Sequence, residues 1–199
     1  MQNDRLATYI QQLDASHIPK ERAVTLDGIV EKLCLKIEDG QSVNLNFICT
    51  HNSRRSQFAQ VWMQTLAAKY KKNIMCYSGG VEVTTCNKRT IAALKAVGFP
   101  ISASQDSNTI YKVTYDDTKP VIELYSKLYD HKSTPSGFVA IMTCDHADQN
   151  CPFIPNASER WALKYVDPKA FDNSPREQQA YLDTSLLIAT EINYILSHL

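Results

Sequence analysis

The chain carries no excess of charge of either sign, since 21 Lys and Arg balance 21 Asp and Glu. No overall field therefore draws it to nucleic acid or to an anionic membrane surface. No run of 18 apolar residues occurs, which excludes a membrane-spanning helix. The opening Met1-Gln2-Asn3-Asp4-Arg5 leads into a polar amphipathic stretch without the apolar core of an export signal, so the expectation is a soluble, cytoplasmic protein. Repeats and low-complexity tracts are also missing. In a chain read as non-secreted, six cysteines are reactive or buried thiols rather than a disulfide framework. What is present is a 44% hydrophobic sequence of 199 residues, enough to bury one proper core.

Residues 1–40 read as an attached helical layer. Leu6, Ile10 and Leu13 mark one short helix; Pro19 begins a second, whose stripe of Val30, Leu33 and Ile37 runs until Asp39-Gly40 ends it. From residue 44 onward strand-like and helix-like segments alternate, the pattern of a parallel sheet with helices on its faces. Strands are expected at Asn44–Ile48, Ile74–Tyr77 and Phe138–Thr143, a helix over Thr90–Val97 ending at Gly98, and a long last helix capped by Ser174-Pro175. Residues 102–137 are rich in Ser, Thr, Asp and Lys and read as an insertion, mobile or with strands at Tyr111–Tyr115 and Val121–Tyr125.

Chemistry concentrates first in Cys49-Thr50-His51-Asn52-Ser53-Arg54-Arg55-Ser56. A cysteine followed six residues later by an arginine is a weak signal, but here it lies between a buried strand and a helix marked by Phe58, Val61, Trp62, Leu66 and Tyr70. An oxyanion in that loop would meet unpaired backbone N–H groups, the positive end of the helix dipole and the two-pronged Arg55 donor. The same field favours Cys49 as the thiolate, the nucleophilic form.

A second group is Cys144-Asp145-His146-Ala147-Asp148-Gln149-Asn150-Cys151-Pro152. Cys144 follows an apolar strand, and in open α/β sheets the strand C-termini face the ligand crevice, so it falls on the side of the Cys49 loop. Six residues between the cysteines is wider than a zinc turn, and no second pair occurs, which argues against a metal. Two unconnected thiols or a redox pair remain, the latter if segment 145–150 is flexible enough to bring Cys151 to Cys144. Asp167-Pro168 is an ordinary loop dipeptide by itself, yet proline can hold the aspartate rigidly as a proton donor. Cys34 and Cys76 sit on apolar faces and read as core; Cys86 falls in a loop without an assignment.

Together, the loop from Cys49 to Ser56 with Gln57, Tyr77-Ser78-Gly79-Gly80, Val97-Gly98, Cys144 through Cys151-Pro152, Trp161 and Asp167-Pro168 resemble the thioredoxin-coupled arsenate reductases, which share the low-molecular-weight tyrosine phosphatase fold. The resemblance runs from about residue 44 to the C-terminus, leaving residues 1–40 and most of 102–137 without counterpart. It implies a three-layer α/β domain over residues 41–199, with a four-stranded parallel sheet flanked by helices and the N-terminal helices added. It also implies a relay. Cys49 attacks arsenate held by the amides and side chains of residues 50–56, including Thr50, His51, Asn52, Ser53, Arg54, Arg55 and Ser56; Asp167 protonates the departing oxygen. Cys144 then attacks Cys49, Cys151 attacks Cys144, and thioredoxin reduces the last disulfide. No cofactor is implied, and Gln60 stands where these reductases commonly carry a glutamate that helps bind potassium, which puts that ion site in doubt. Two other departures are His51 in place of glycine, which is hard to fit at positive φ, and Arg54 in place of a second loop cysteine. The alternatives are a tyrosine phosphatase using Cys49, Arg55 and Asp167, although Lys169-Ala170 replaces the expected aromatics, and a non-catalytic module sensing oxyanions or redox state.

Overall fold

The computed structural model describes residues 4–38, 42–104, 109–150 and 153–199. In chain order the elements are α1 (Asp4–Gln11), α2 (Lys20–Glu38), β1 (Val43–Cys49), α3 (Arg55–Lys69), β2 (Ile74–Gly80), α4 (Lys88–Ala96) and β3 (Ile101–Ala103). They continue as β4 (Tyr111–Val113), β5 (Ile122–Leu124), β6 (Phe138–Met142), α5 (Asp145–Asn150), β7 (Ala157–Ala162) and α6 (Glu177–Ser197). Among the described residues no helix is long and apolar enough to cross a membrane.

A parallel sheet in the order β2-β1-β6-β7, with helices on its faces, is the centre of the molecule. Buried on both faces, β6 is a continuous apolar run, whereas β1 carries Asn44, half-buried, and Asn46, buried and donating to the Tyr129 carbonyl at 2.8 Å. Their register places Ile48 opposite Met142, and on the other side Cys49 pairs with Gly80. The fourth strand, β7, was not legible from its own residues. Ala157-Ser158-Glu159-Arg160-Trp161-Ala162 lies at the sheet edge, exposes Ser158 and Glu159, and buries only Trp161, so it lacks the apolar run of its neighbours.

The N-terminal helices pack on this core. Leu6 and Ile10 of α1, with Leu26, Ile29 and Leu33 of α2, join one apolar cluster with β1, α3 and α6. The stripe on α2 is rotated from the expected one, with Val30 and Ile37 only half-buried. Trp62 of α3 stacks on Tyr9 at 5.8 Å, meets Phe99 edge-on at 5.0 Å and donates to Ser185 of α6 at 2.9 Å. Gly98, at φ +112°, closes α4 as expected. Ser174 does not cap α6 directly; its hydroxyl closes the preceding turn, accepting from the Arg176 amide, and the helix starts at Glu177.

Among the described residues of 102–137 the strand alternative is the one observed, with β4 and β5 inside Tyr111–Tyr115 and Val121–Tyr125. β3, β4 and β5 form a separate antiparallel sheet, and Val113, Ile122 and Leu124 enter the main core. Short strands broken by Ser, Asp and Lys give weak periodicity, so their stability comes from this docking.

Candidate functional site

Between β1 and α3, residues 50–54 form the turn that follows Cys49. The left-handed residue of the turn is Asn52, at φ +46°, whereas His51 has no positive φ, so the side chain at 51 adds no strain of the expected kind. Asn52 is held on three of its four polar atoms, all but its backbone N–H. Its amide donates to Ser56 Oγ at 2.9 Å, its Oδ1 accepts from the Lys127 N–H at 3.2 Å, and its carbonyl accepts from Gln57 Nε2 at 2.8 Å. Ser56 Oγ in turn lies 3.1 Å from Cys49 Sγ.

Loop carbonyls are spent on the scaffold. Thr50 O accepts from the Val81 and Glu82 amides at 2.9 Å, His51 O from Ser126 Oγ at 2.7 Å, and Ser53 O from the Asn87 amide at 3.1 Å. The N–H groups of residues 50–54 find no acceptor among the described residues. A loop whose acceptors face the protein and whose donors are unspent has the polarity an oxyanion requires.

Gly80 permits that arrangement by close approach. A Cβ there would lie 2.7 Å from the Asn52 nitrogen and 2.8 Å from the carbonyl oxygens of Thr50 and Glu82, all backbone atoms with no freedom to yield. Gly80→Ala is therefore expected to weaken phosphate binding at least tenfold and to destabilise the fold by about 1–3 kcal/mol. Calorimetric titration with phosphate beside a thermal melt checks this, and parental affinity would show that the loop has slack.

Arg55 opens α3 and faces the segment that follows β7. It donates to Asp167 Oδ2 at 2.7 Å and to the Tyr165 carbonyl at 3.0 Å, while its buried Nε has no partner. Asp167 caps the 3₁₀ turn Pro168–Phe171 by accepting from the Lys169 amide at 3.0 Å. Arg54 turns the other way. It donates to the Tyr181 hydroxyl at 2.9 Å and lies 3.7 Å from Asp172 and 3.9 Å from Asp167, so it braces the acid segment against α6 and offers an anion only its backbone N–H. Desolvation pushes the Tyr181 hydroxyl up to about 12, keeping it neutral beside Asp172. Ser53 spends its hydroxyl on Thr85 O, and His51 pairs with Glu82 at 3.1 Å on the rim.

Cys144 follows β6 and is buried, 1% exposed, beside Ile48, Cys49 and Met142. The Thr50 hydroxyl stands between Cys144 Sγ, at 3.6 Å, and His146 Nδ1, at 3.3 Å. Segment 145–150 is not a flexible linker but the helix α5. The Ala147 amide donates to Cys144 Sγ at 3.4 Å, Lys164 ties Asp145 and Asp148 at 2.9 and 3.0 Å, and Arg160 pairs with Asp148. Those ties come from outside the segment, so periodicity within it gave no sign of them. Cys151 lies outside the described residues.

Sequence reasoning did not single out Ser126 or the Tyr165 carbonyl, since each acts through a contact made by distant chain. Gln60 donates to Cys76 O and accepts from Ser78, so both ends of its amide are engaged and it brings no carboxylate to a cation. Burial pushes Cys86 up to about 12 and Cys76 well above its ordinary range; Cys34, expected in the core, is half-buried on α2.

Lys127, only 5% exposed, lies behind the loop with its ammonium 4.3 Å from the Tyr125 ring centroid. Desolvation brings it down to about 8, partly opposed by Cys86 and Glu123. Below pH 8 the folded and unfolded chains both hold the proton, and the folded one bears the whole burial cost. Between 8 and the ordinary 10.5 the folded chain has released it, so this contribution to stability rises with pH. Lys127→Met should therefore be more stable than the parent at pH 7 by about 1–3 kcal/mol, with the gap closing toward pH 10.5. Urea unfolding across pH measures it; a constant gap would contradict the buried-charge account.

Comparison with known proteins agrees with this geometry. A family model described as low molecular weight phosphotyrosine protein phosphatase matches residues 44–172. Arsenate reductase 2 of Staphylococcus haemolyticus (strain JCSC1435) is 32% identical over 122 residues, covering 61% of this chain and 76% of that protein. An arsenate reductase of Staphylococcus aureus (strain Newman) is 30% identical with the same coverage. Among solved structures, a low molecular weight protein tyrosine phosphatase from T. tengcongensis superposes with a TM-score of 0.53 at 16% identity, over 79% of this chain and 100% of that one. A YwlE mutant from Bacillus subtilis gives 0.53 at 14% identity, over 78% and 97%. The structural likenesses establish the four-stranded fold.

Proposed function

Because the chain belongs to the low molecular weight phosphotyrosine protein phosphatase family, we propose that it uses that fold to reduce arsenate to arsenite through a three-thiol relay. The observation that carries this reading is the approach of a second thiol to the loop: Cys144, at the end of the neighbouring strand, shares the Thr50 hydroxyl at 3.6 Å. A phosphatase needs no such thiol, and the relatives named arsenate reductase support the same choice.

In this mechanism the loop amides and Arg55 hold arsenate, with Arg55 Nε as a donor not yet engaged. The Cys49 thiolate attacks arsenic, and Asp167 protonates the departing hydroxide. Cys144, as thiolate, then attacks Cys49 Sγ; the sulfur–arsenic bond breaks, its electron pair stays on arsenic, and arsenite leaves. Cys151 attacks Cys144 and releases Cys49 as thiolate. Thioredoxin, the partner in this scheme, reduces the Cys144–Cys151 bridge.

The last exchange requires α5 to unwind. A helix of six residues advances about 9 Å, beyond the roughly 7 Å over which two Cα atoms can be bridged. The ties from Arg160 and Lys164 are thus contacts that the relay must break.

Arsenite release measured with thioredoxin, thioredoxin reductase and NADPH, beside hydrolysis of an aryl phosphate, tests the reading. Steady arsenite production is expected. Aryl phosphate turnover without arsenite would replace the reading by a phosphatase, and phosphate binding without either turnover by a sensing module.

A further inference from the structure

Arg22 lies on α2, outside the matched family segment, yet it reaches the segment that carries Asp167. Its guanidinium makes a two-point bond to Glu191 of α6, with Nε and one terminal nitrogen each at 2.7 Å. That same terminal nitrogen donates to the Lys164 carbonyl at 3.1 Å, and the group lies 5.2 Å from the Tyr165 ring centroid. Glu191 is 2% exposed. A buried ion pair is weak as a means of holding two helices together, because apolar side chains of the same size would pack α2 on α6 as well. What an apolar pair cannot supply is the third bond, to the backbone at residue 164, and a flat cation against Tyr165.

The contact continues to the site within three residues. The Tyr165 amide donates to Thr143 O at 3.1 Å, the Tyr165 carbonyl accepts from Arg55 at 3.0 Å, and Asp167 accepts from Arg55 at 2.7 Å. We propose that Arg22 is a positioning residue for the acid segment, so that the N-terminal helical layer is part of the catalytic scaffold rather than an appended cover. The proposal rests on the reading of Asp167 as proton donor.

The test uses the full chain with Arg22→Met and Glu191→Met together, which leaves no buried charge unpaired, and Arg22→Lys as a second variant that keeps the charge but loses the fork. Phenyl phosphate, whose leaving group needs a proton, and 2,4-dinitrophenyl phosphate, whose leaving group does not, serve as probes. The double variant is expected to melt near the parent, to bind inorganic phosphate as the parent does, and to lose at least tenfold in kcat for phenyl phosphate relative to the dinitrophenyl ester. Amide exchange over residues 163–169 should be faster in both variants. Parental exchange there, together with a parental ratio of the two rates, would overturn the proposal. Asp167→Asn separates the two levels: a changed ratio in Asp167→Asn with none in the Arg22 variants sinks the role of Arg22 alone, whereas no change in Asp167→Asn sinks the proton-donor reading and this proposal with it.

Discussion

Cys151→Ser is expected to release about one arsenite per molecule and then stop. The first two exchanges use only Cys49 and Cys144, so arsenic is reduced once and a Cys49–Cys144 bridge remains. A serine hydroxyl does not displace a disulfide sulfur, and the bridge would be buried where both thiols now are, shielded from thioredoxin. Mass spectrometry should find Cys49 joined to Cys144. Cys144→Ser should form no such bridge and release no arsenite above background. Both variants should keep any aryl phosphatase activity the parent has, because that chemistry needs Cys49, Arg55 and Asp167 alone. Steady thioredoxin-coupled turnover by Cys151→Ser would refute the relay.

Asp167→Asn should slow the chemical step by roughly 10²–10⁴ while leaving the fold intact. A second, opposite effect is expected from the geometry. Arg55 now donates to Asp167 at 2.7 Å, and the same guanidinium must be shared with the bound anion. An amide at 167 attracts it less, so phosphate should bind as tightly as before or more tightly even though turnover collapses. Rate measurements with phenyl phosphate and phosphate inhibition constants decide both halves. An unchanged rate would remove Asp167 from the mechanism, and a large loss of affinity would make it a ligand-holding group instead.

The parts of the site that could be read from sequence are those built by contiguous residues. The strand, loop and helix around Cys49 carry their own pattern, from Asn44–Ile48 through Ser56 to Leu66, and the structure places each near its expected position. Asn52 explains why glycine is dispensable at residue 51, since the left-handed position falls one residue later. Elements stabilised from a distance were not legible. α5 is Asp- and Asn-rich and reads as a linker until Arg160 and Lys164 are seen to hold it. β7 is polar because it is an edge, and β3 is three residues long with no buried position, whereas β4 and β5 are marked by their own residues within Tyr111–Tyr115 and Val121–Tyr125. Arg54 read as a cation for the anion, yet Tyr181 and Asp172, far along the chain, claim it.

The adjacency of β1 and β6 has one more implication. Nearly half the chain separates Cys49 from Cys144, but the Thr143 amide bonds to Ile48 O at 2.8 Å and Ile48 faces Met142 across a continuous ladder. The vector between the two thiols is thus a property of two paired backbones and is independent of the polypeptide that joins them. A break in the largely exposed stretch 132–137 would leave that ladder able to reassemble from two fragments, each bringing one sulfur. The parts of the intervening chain that must keep their place are those that hold the loop, among them Gly80, Ser126 and Lys127.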